Sequence, residues 1–159
     1  MIAWLTQTTA GKIVAAFFLS MAPVVELRAG LPYGIALGLD YPVALTAAVL
    51  GNLLPVPFII VFIRRIFEWL RQKSARLNRL VARLENKAHL NGHLVQRYGP
   101  IGLCILVAIP LPGTGAWTGA LVAALLDLRL KRAIPSIVVG VFIAAGIMTA
   151  VTYGLIHIF

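Results

Sequence analysis

The chain has 159 residues, of which 60% are hydrophobic and 12% charged, with a mean hydropathy of +0.94. A soluble domain of this length would lack the polar surface to cover itself, so composition excludes that class and defines an integral membrane protein. The net charge of +9 is concentrated in one stretch and reads as a topology signal rather than a nucleic-acid surface.

Met1 to Gly11 carries no basic region ahead of an apolar run and no small-residue cleavage site, so it is not read as a removed signal peptide. Lys12 to Ala22 is apolar and helix-compatible, but at 1.5 Å per residue it reaches only about 16 Å, half of the hydrocarbon core. A broken segment follows: Pro23-Val24-Val25-Glu26-Leu27-Arg28-Ala29-Gly30-Leu31-Pro32-Tyr33-Gly34. Proline removes a backbone donor and clashes with the preceding turn, so this run is not expected to be a continuous helix. The chain returns from Tyr33 to Leu39 and turns at Asp40-Tyr41-Pro42. Val43 to Ile63 is long enough to cross the bilayer once, with a kink or close packing expected around Gly51, Asn52, Pro55 and Pro57.

Between Arg64 and Arg97 stand nine basic residues against Glu68 and Glu85, a local charge of +7. By the positive-inside rule this loop is expected to be cytoplasmic. Within it, Ile66 to Leu90 places Leu70, Leu77, Val81, Leu84 and Ala88 on one helical face and Arg76, Arg79, Arg83 and Lys87 on another. The pattern predicts one amphipathic basic helix, lying on an anionic membrane surface or packing on a partner, and ending at Asn91-Gly92. His89 and His93 have metal-ligand spacing, but no carboxylate or cysteine completes a site and they are read as solvated. The single cysteine, Cys104, excludes an intrachain disulfide.

The second half repeats the plan. Gly99 to Ile109 is short and apolar, Pro110-Leu111-Pro112-Gly113-Thr114-Gly115 is a second break, and Ala116 to Leu126 returns. After the charged turn Asp127 to Arg132, Ala133 to His157 can cross the membrane, with Pro135 in its first turn. His157 is expected at the membrane interface. Gly30 and Gly34 match Gly115 and Gly119 at an offset of 85. Arg97 and Arg129 to Arg132 put both ends of the second broken segment on the cytoplasmic side, which makes it a re-entrant hairpin. Lys12 and Asp40 are consistent with a first hairpin entering from the opposite side.

The expected fold is therefore an all-α integral membrane protein built as an inverted repeat, each half a re-entrant helical hairpin plus a spanning helix. It forms a single membrane domain: residues 12–63 the first repeat, 64–97 the cytoplasmic basic helix, 98–159 the second repeat. A rival with four full spans would bury Glu26 and Arg28 mid-helix, at about 3 kcal/mol each on translocon scales.

Glu26 and Arg28 are the only ionisable residues in the first break. One reading has them satisfying each other and nearby backbone, holding the tip together. The other has Arg28 binding an anionic head group through its planar fork, with Glu26 orienting it or carrying a proton. Gly113-Thr114-Gly115 precedes a helix whose first amides form a ready anion site. The expected substrate-binding set is Glu26, Arg28, Gly30, Pro112, Gly113, Thr114, Gly115 and Trp117. Tyr33 and Trp117 fit equally as core or interface aromatics. Neither a catalytic triad nor a nucleotide-binding loop is present in the sequence, so no enzyme is expected and no cofactor or metal is implied.

Glu26-Leu27-Arg28-Ala29-Gly30-Leu31-Pro32, together with Ile109-Pro110-Leu111-Pro112-Gly113-Thr114-Gly115-Ala116-Trp117-Thr118-Gly119, resembles the small multidrug export protein family of prokaryotic membrane proteins. The resemblance runs over nearly the whole chain and implies a multi-pass protein of the cytoplasmic membrane. The layout more distantly resembles the DedA, or VTT-domain, superfamily. That likeness implies two re-entrant hairpins and transport of lipids such as undecaprenyl phosphate, coupled to a proton or sodium gradient. Three functions follow as expectations: a translocase of an amphiphilic anion, foremost a polyprenyl phosphate; an exporter of lipophilic cations; and a non-transporting membrane organiser. The expected partners are membrane lipids, the anionic lipid substrate and a second copy in a homodimer, because hairpin backbones need covering.

Overall fold

The computed structural model describes residues 7–23, 25–111 and 114–158, and these are all helix, turn or loop with no strand among them. The first half begins with α1 (Thr9–Met21), whose start is capped by Thr8 Oγ1 accepting the Gly11 amide at 3.1 Å. α2 (Glu26–Ala36) follows after a break at Ala22, Pro23 and Val25. The break is shorter than the prolines suggest, because Pro32 sits inside α2 as its seventh residue. A proline there leaves the carbonyl four residues earlier without its donor but does not end the helix.

The first long helix runs as α3 (Tyr41–Leu53) and α4 (Pro55–Lys73). Leu54, between them, keeps helical dihedrals, so the interruption at Pro55 and Pro57 is a loss of donors rather than a change of direction. The helix therefore continues through Ile63 to Lys73, and the amphipathic helix expected over Ile66–Leu90 is divided. Its first two turns belong to α4. Ser74, extended at φ −164°, stops α4 and caps α5 (Ala75–Asn91) by accepting the Arg76 amide at 3.3 Å. An ion pair between Arg71 and Glu85 closes α4 against α5. The apolar face of α5, with Val81 and Ala88 buried, packs on α4 and on a helix of the second half. It rests on its own chain.

α6 (His93–Tyr98) leads to Gly99 at φ +58°, and the second half follows as α7 (Pro100–Ala108), α8 (Ala116–Leu125) and α9 (Leu130–Ile158). Pro135 is the sixth residue of α9, one turn deeper than the sequence suggests, because α9 begins at Leu130. The side chain of His157 lies outside the described residues.

From residue 26 onward, several helix ends and turns of the first half recur in the second at an offset of 89 rather than 85. Glu26 and Gly115 both enter a helix at positive φ, +53° and +136°. Ala36 and Leu125 both end that helix, and Tyr41 and Leu130 both begin a long one. The turns match in hydrogen bonding: Leu39 N–H reaches Gly34 O at 3.1 Å, and Leu128 N–H reaches Ala123 O at 2.9 Å. Each closes around a left-handed residue, Gly38 at φ +80° and Asp127 at φ +55°, the usual way to satisfy the last carbonyls of a helix. Gly30 thus corresponds to Gly119. Matching glycines at 85 aligned the wrong pair, because no glycine stands opposite Glu26's partner in the first half.

The long helices run antiparallel. Tyr41 Oη, at the start of α3, meets Thr149 Oγ1 near the end of α9 at 2.9 Å. Arg64 on α4 meets Asp127, just before α9, at 2.7 Å. Arg64 also donates through Nε to Ala124 O at 2.8 Å, placing a cation on the negative end of α8. α1 lies so close to α3 that a Cβ on Gly51 would stand 2.2 Å from Phe17 O, and α7 approaches α9 similarly at Gly140 and Cys104 O, 2.8 Å.

Two helical stretches, Tyr41–Lys73 and Leu130–Gly154, are long and apolar enough to cross a membrane. Both turn large apolar side chains outward: Leu50, Leu54, Phe58, Val61 and Phe62 on the first, Val139, Phe142, Ile143, Ile147 and Val151 on the second. Stripes of that kind on a long helix suit lipid, not water. α1, α2, α7 and α8 hold 13, 11, 9 and 10 residues, lengths of about 14–20 Å that fall short of a roughly 30 Å core.

Candidate functional site

The two breaks meet. Glu26, only 4% exposed, sends its carboxylate across to the start of α8, where Oε1 accepts the Trp117 amide at 3.1 Å and the Ala116 amide also donates to it. The first amides of a helix have no partner within it and carry the positive end of its dipole, so a carboxylate fits there. Gly115 makes room. At φ +136° it occupies backbone space that side chains rarely enter, and a Cβ would lie 1.9 Å from Glu26 Oε2.

Arg28, two residues further on, reaches the other side of the same break. Its guanidinium donates to Leu111 O, to Ile109 O at 3.2 Å, to Thr114 O at 2.7 Å and to Thr114 Oγ1 at 3.0 Å. Ile109 O and Leu111 O lie in the turn that follows a broken helix and already accept the Leu111 amide at 2.9 Å and the Thr114 amide at 3.1 Å; Arg28 adds a charged donor to each. Thr114 Oγ1 is also within hydrogen-bonding reach of Ile109 O at 2.7 Å and Leu111 O at 2.8 Å. The exchange is reciprocal, since Trp117 Nε1–H donates to Met21 O at 3.0 Å and so caps the end of α1.

Of the expected set, Glu26, Arg28, Thr114, Gly115 and Trp117 come together. Pro112 and Gly113 lie outside the described residues. Gly30 stands apart, packed so tightly on α1 that a Cβ there would meet Ser20 Oγ at 1.7 Å. Tyr33 is exposed and takes no part. His89 and His93 are exposed, and no metal-binding cluster occurs among the described residues. Glu26 and Arg28 form no ion pair with each other there; each satisfies backbone of the opposite half. The carbonyls of Met21, Ile109 and Leu111 are the partners sequence reasoning missed. Their only signal was position, each near the end of a helix that a proline follows.

Beside the joined breaks is a half-enclosed cavity of about 370 Å³, lined by Pro23, Ile63, Phe67, Leu84, Ala88, Trp117, Thr118 and Leu121. It draws its walls from the first break and from α4, α5 and α8. No charged side chain lines it, and Phe67 and Trp117 give it two aromatic rings. Its volume is near the lower end for small-molecule pockets.

Fold and site define a helical membrane protein with two long apolar helices and two pairs of short ones whose breaks cross-link. Residues 26–147 match the family described as "Putative small multi-drug export protein", and the chain belongs to that family. No curated protein and no solved structure matches it.

Proposed function

We propose that the protein exports small lipophilic cations across the membrane, holding them in the cavity between α4, α5 and α8, with the cross-linked breaks as its gate. The family supports export. The observation that carries the substrate class is the cavity wall, which is apolar and aromatic and contains no basic side chain. A lipophilic cation gains from aromatic faces in such a site, whereas a phosphate would find no donor fork there.

The architecture proposed with it is the inverted repeat of re-entrant hairpins. Three features support it: the constant 89-residue offset, the antiparallel long helices and the short reach of α1, α2, α7 and α8. The basic loop of residues 64–97 and the turn at Asp127 to Arg132 come together at Arg64, in keeping with one cytoplasmic side. A second copy is the proposed partner, covering the outer backbone of the hairpins. Coupling to a proton or sodium gradient is part of the proposal.

Translocation of an amphiphilic anion such as a polyprenyl phosphate requires more. Arg28 would have to release four oxygens and Glu26 would have to vacate the amides of α8, each with a desolvation cost. The test is reconstitution into vesicles, measuring efflux of tetraphenylphosphonium beside flipping of a labelled polyprenyl phosphate. Cation efflux by the parent, weakened at least tenfold in Trp117→Ala, is the expected result. Lipid-phosphate flipping without cation efflux would overturn the proposal in favour of the anion reading. Movement of neither substrate under any gradient would favour a non-transporting organiser.

A further inference from the structure

We infer that the outward face of α5 is a docking site for the phosphate head groups of anionic lipids. The helix has two unlike sides. Val81 and Ala88 are buried, and Leu84 and Ala88 wall the cavity. Opposite them Arg76, Arg79 and Arg83 are exposed at positions i, i+3 and i+7, one stripe of a helix. Together with Leu77 and Leu80 they line a shallow depression of about 440 Å³. No carboxylate pairs with any of the three: the ion pairs among the described residues are Arg64–Asp127 and Arg71–Glu85. Three guanidinium groups with no carboxylate partner around one depression make a surface that attracts phosphate by charge.

The occupant is set by where α5 lies. Its apolar side is already used by α4 and α8, so it does not insert into acyl chains; contact is by charge. Trp69, near the end of α4, is 57% exposed, with Lys73 Nζ 4.9 Å from its ring centre. Tyr98, also exposed, has the Arg97 guanidinium 5.4 Å from its ring centre, at the end of α6. Exposed aromatics with adjacent cations are anchors at head-group depth. One lies before α5 in the sequence and the other after it, and exposed rings beside cations favour a head-group layer over an acidic protein as the occupant of the arginine stripe. Because α5 also walls the cavity, a lipid held there steadies that wall. The inference does not rest on the transport reading.

The experiment places the full chain in mixed micelles with equal amounts of phosphatidylcholine and phosphatidylglycerol and identifies retained lipids by native mass spectrometry. The parent is expected to retain phosphatidylglycerol preferentially, the more weakly the higher the salt. Changing Arg76, Arg79 and Arg83 to Gln is expected to lower that preference about fivefold per arginine, the equivalent of roughly 1 kcal/mol each. Lysine at the same three positions keeps the charge and is expected to restore most of the preference, which separates lost binding from misfolding. The inference is overturned if the glutamine variant keeps the preference or the lysine variant fails to restore it. It is also overturned if changing Arg129, Lys131 and Arg132 to Gln costs as much, since the effect would then be net charge rather than this site.

Discussion

Glu26 and Arg28 stand two residues apart, yet their partners lie 81 to 91 residues away. Arg28→Ala leaves four oxygens at the second break without a charged donor and is expected to destabilise the protein by about 3 kcal/mol, read as a lower unfolding temperature in detergent. Arg28→Lys should recover only part of that, because one ammonium cannot span the carbonyls of Ile109, Leu111 and Thr114 as a fork does. An Arg28→Lys variant as stable as the parent would show that charge alone holds the break. Glu26→Gln keeps an acceptor for the Trp117 amide and loses only the charge at the start of α8, so about 1 kcal/mol is expected. Gly115→Ala adds both a disfavoured φ and a contact with the Glu26 carboxylate; a loss of at least about 2 kcal/mol is expected in the same assay.

Between elements, the contact of α4 with the α8–α9 turn has a pH dependence. The hydrogen bond from Arg64 holds the Asp127 carboxyl below its ordinary value of 3.8. A carboxyl depressed in the folded state contributes stability above its unfolded value, and that contribution disappears as pH falls through the folded one. The unfolding temperature should therefore drop as pH falls below about 3.8. Asp127→Asn should flatten that part of the profile while lowering the plateau at neutral pH. Asp127 is fully exposed, so the effect is expected to be small. A parent and an Asp127→Asn profile that stay parallel from pH 3 to 7 would remove the ion pair from the account of this turn. The division of the basic helix at Ser74 is a second matter at this scale. No glycine or proline marks the stop; a serine that can cap the next helix is a weak signal, and it was overridden by a hydrophobic pattern continuing across it.

At the scale of the whole molecule, the orientation in the membrane proposed for the two halves can be read by labelling. Single cysteines placed at Asp40 and at Arg129, with Cys104 changed to Ser, should react with an impermeant maleimide from opposite faces of sealed vesicles. A cysteine at Lys12 should react from the same face as Asp40. Lys12 and Asp40 on opposite faces would mean that α1 and α2 together cross the membrane, and the inverted repeat would be lost. Native mass measurements in lipid should report a dimer; a monomer retaining transport would remove the second copy from the proposed mechanism.

Composition by itself determined the class, since too few polar residues are available to face water. Charge placement and the prolines located both breaks, both long helices and the two residues whose burial demands partners. What only the tertiary structure decided was who those partners are. A backbone carbonyl or amide at the end of a broken helix has no residue signature, so nothing in the letters at Ile109, Leu111 or Met21 announces an acceptor. The offset of 89 was hidden for the same reason. Glu26 and Gly115 share a positive φ and a place at the start of a helix, not a side chain, because one half supplies the carboxylate and the other the space it occupies.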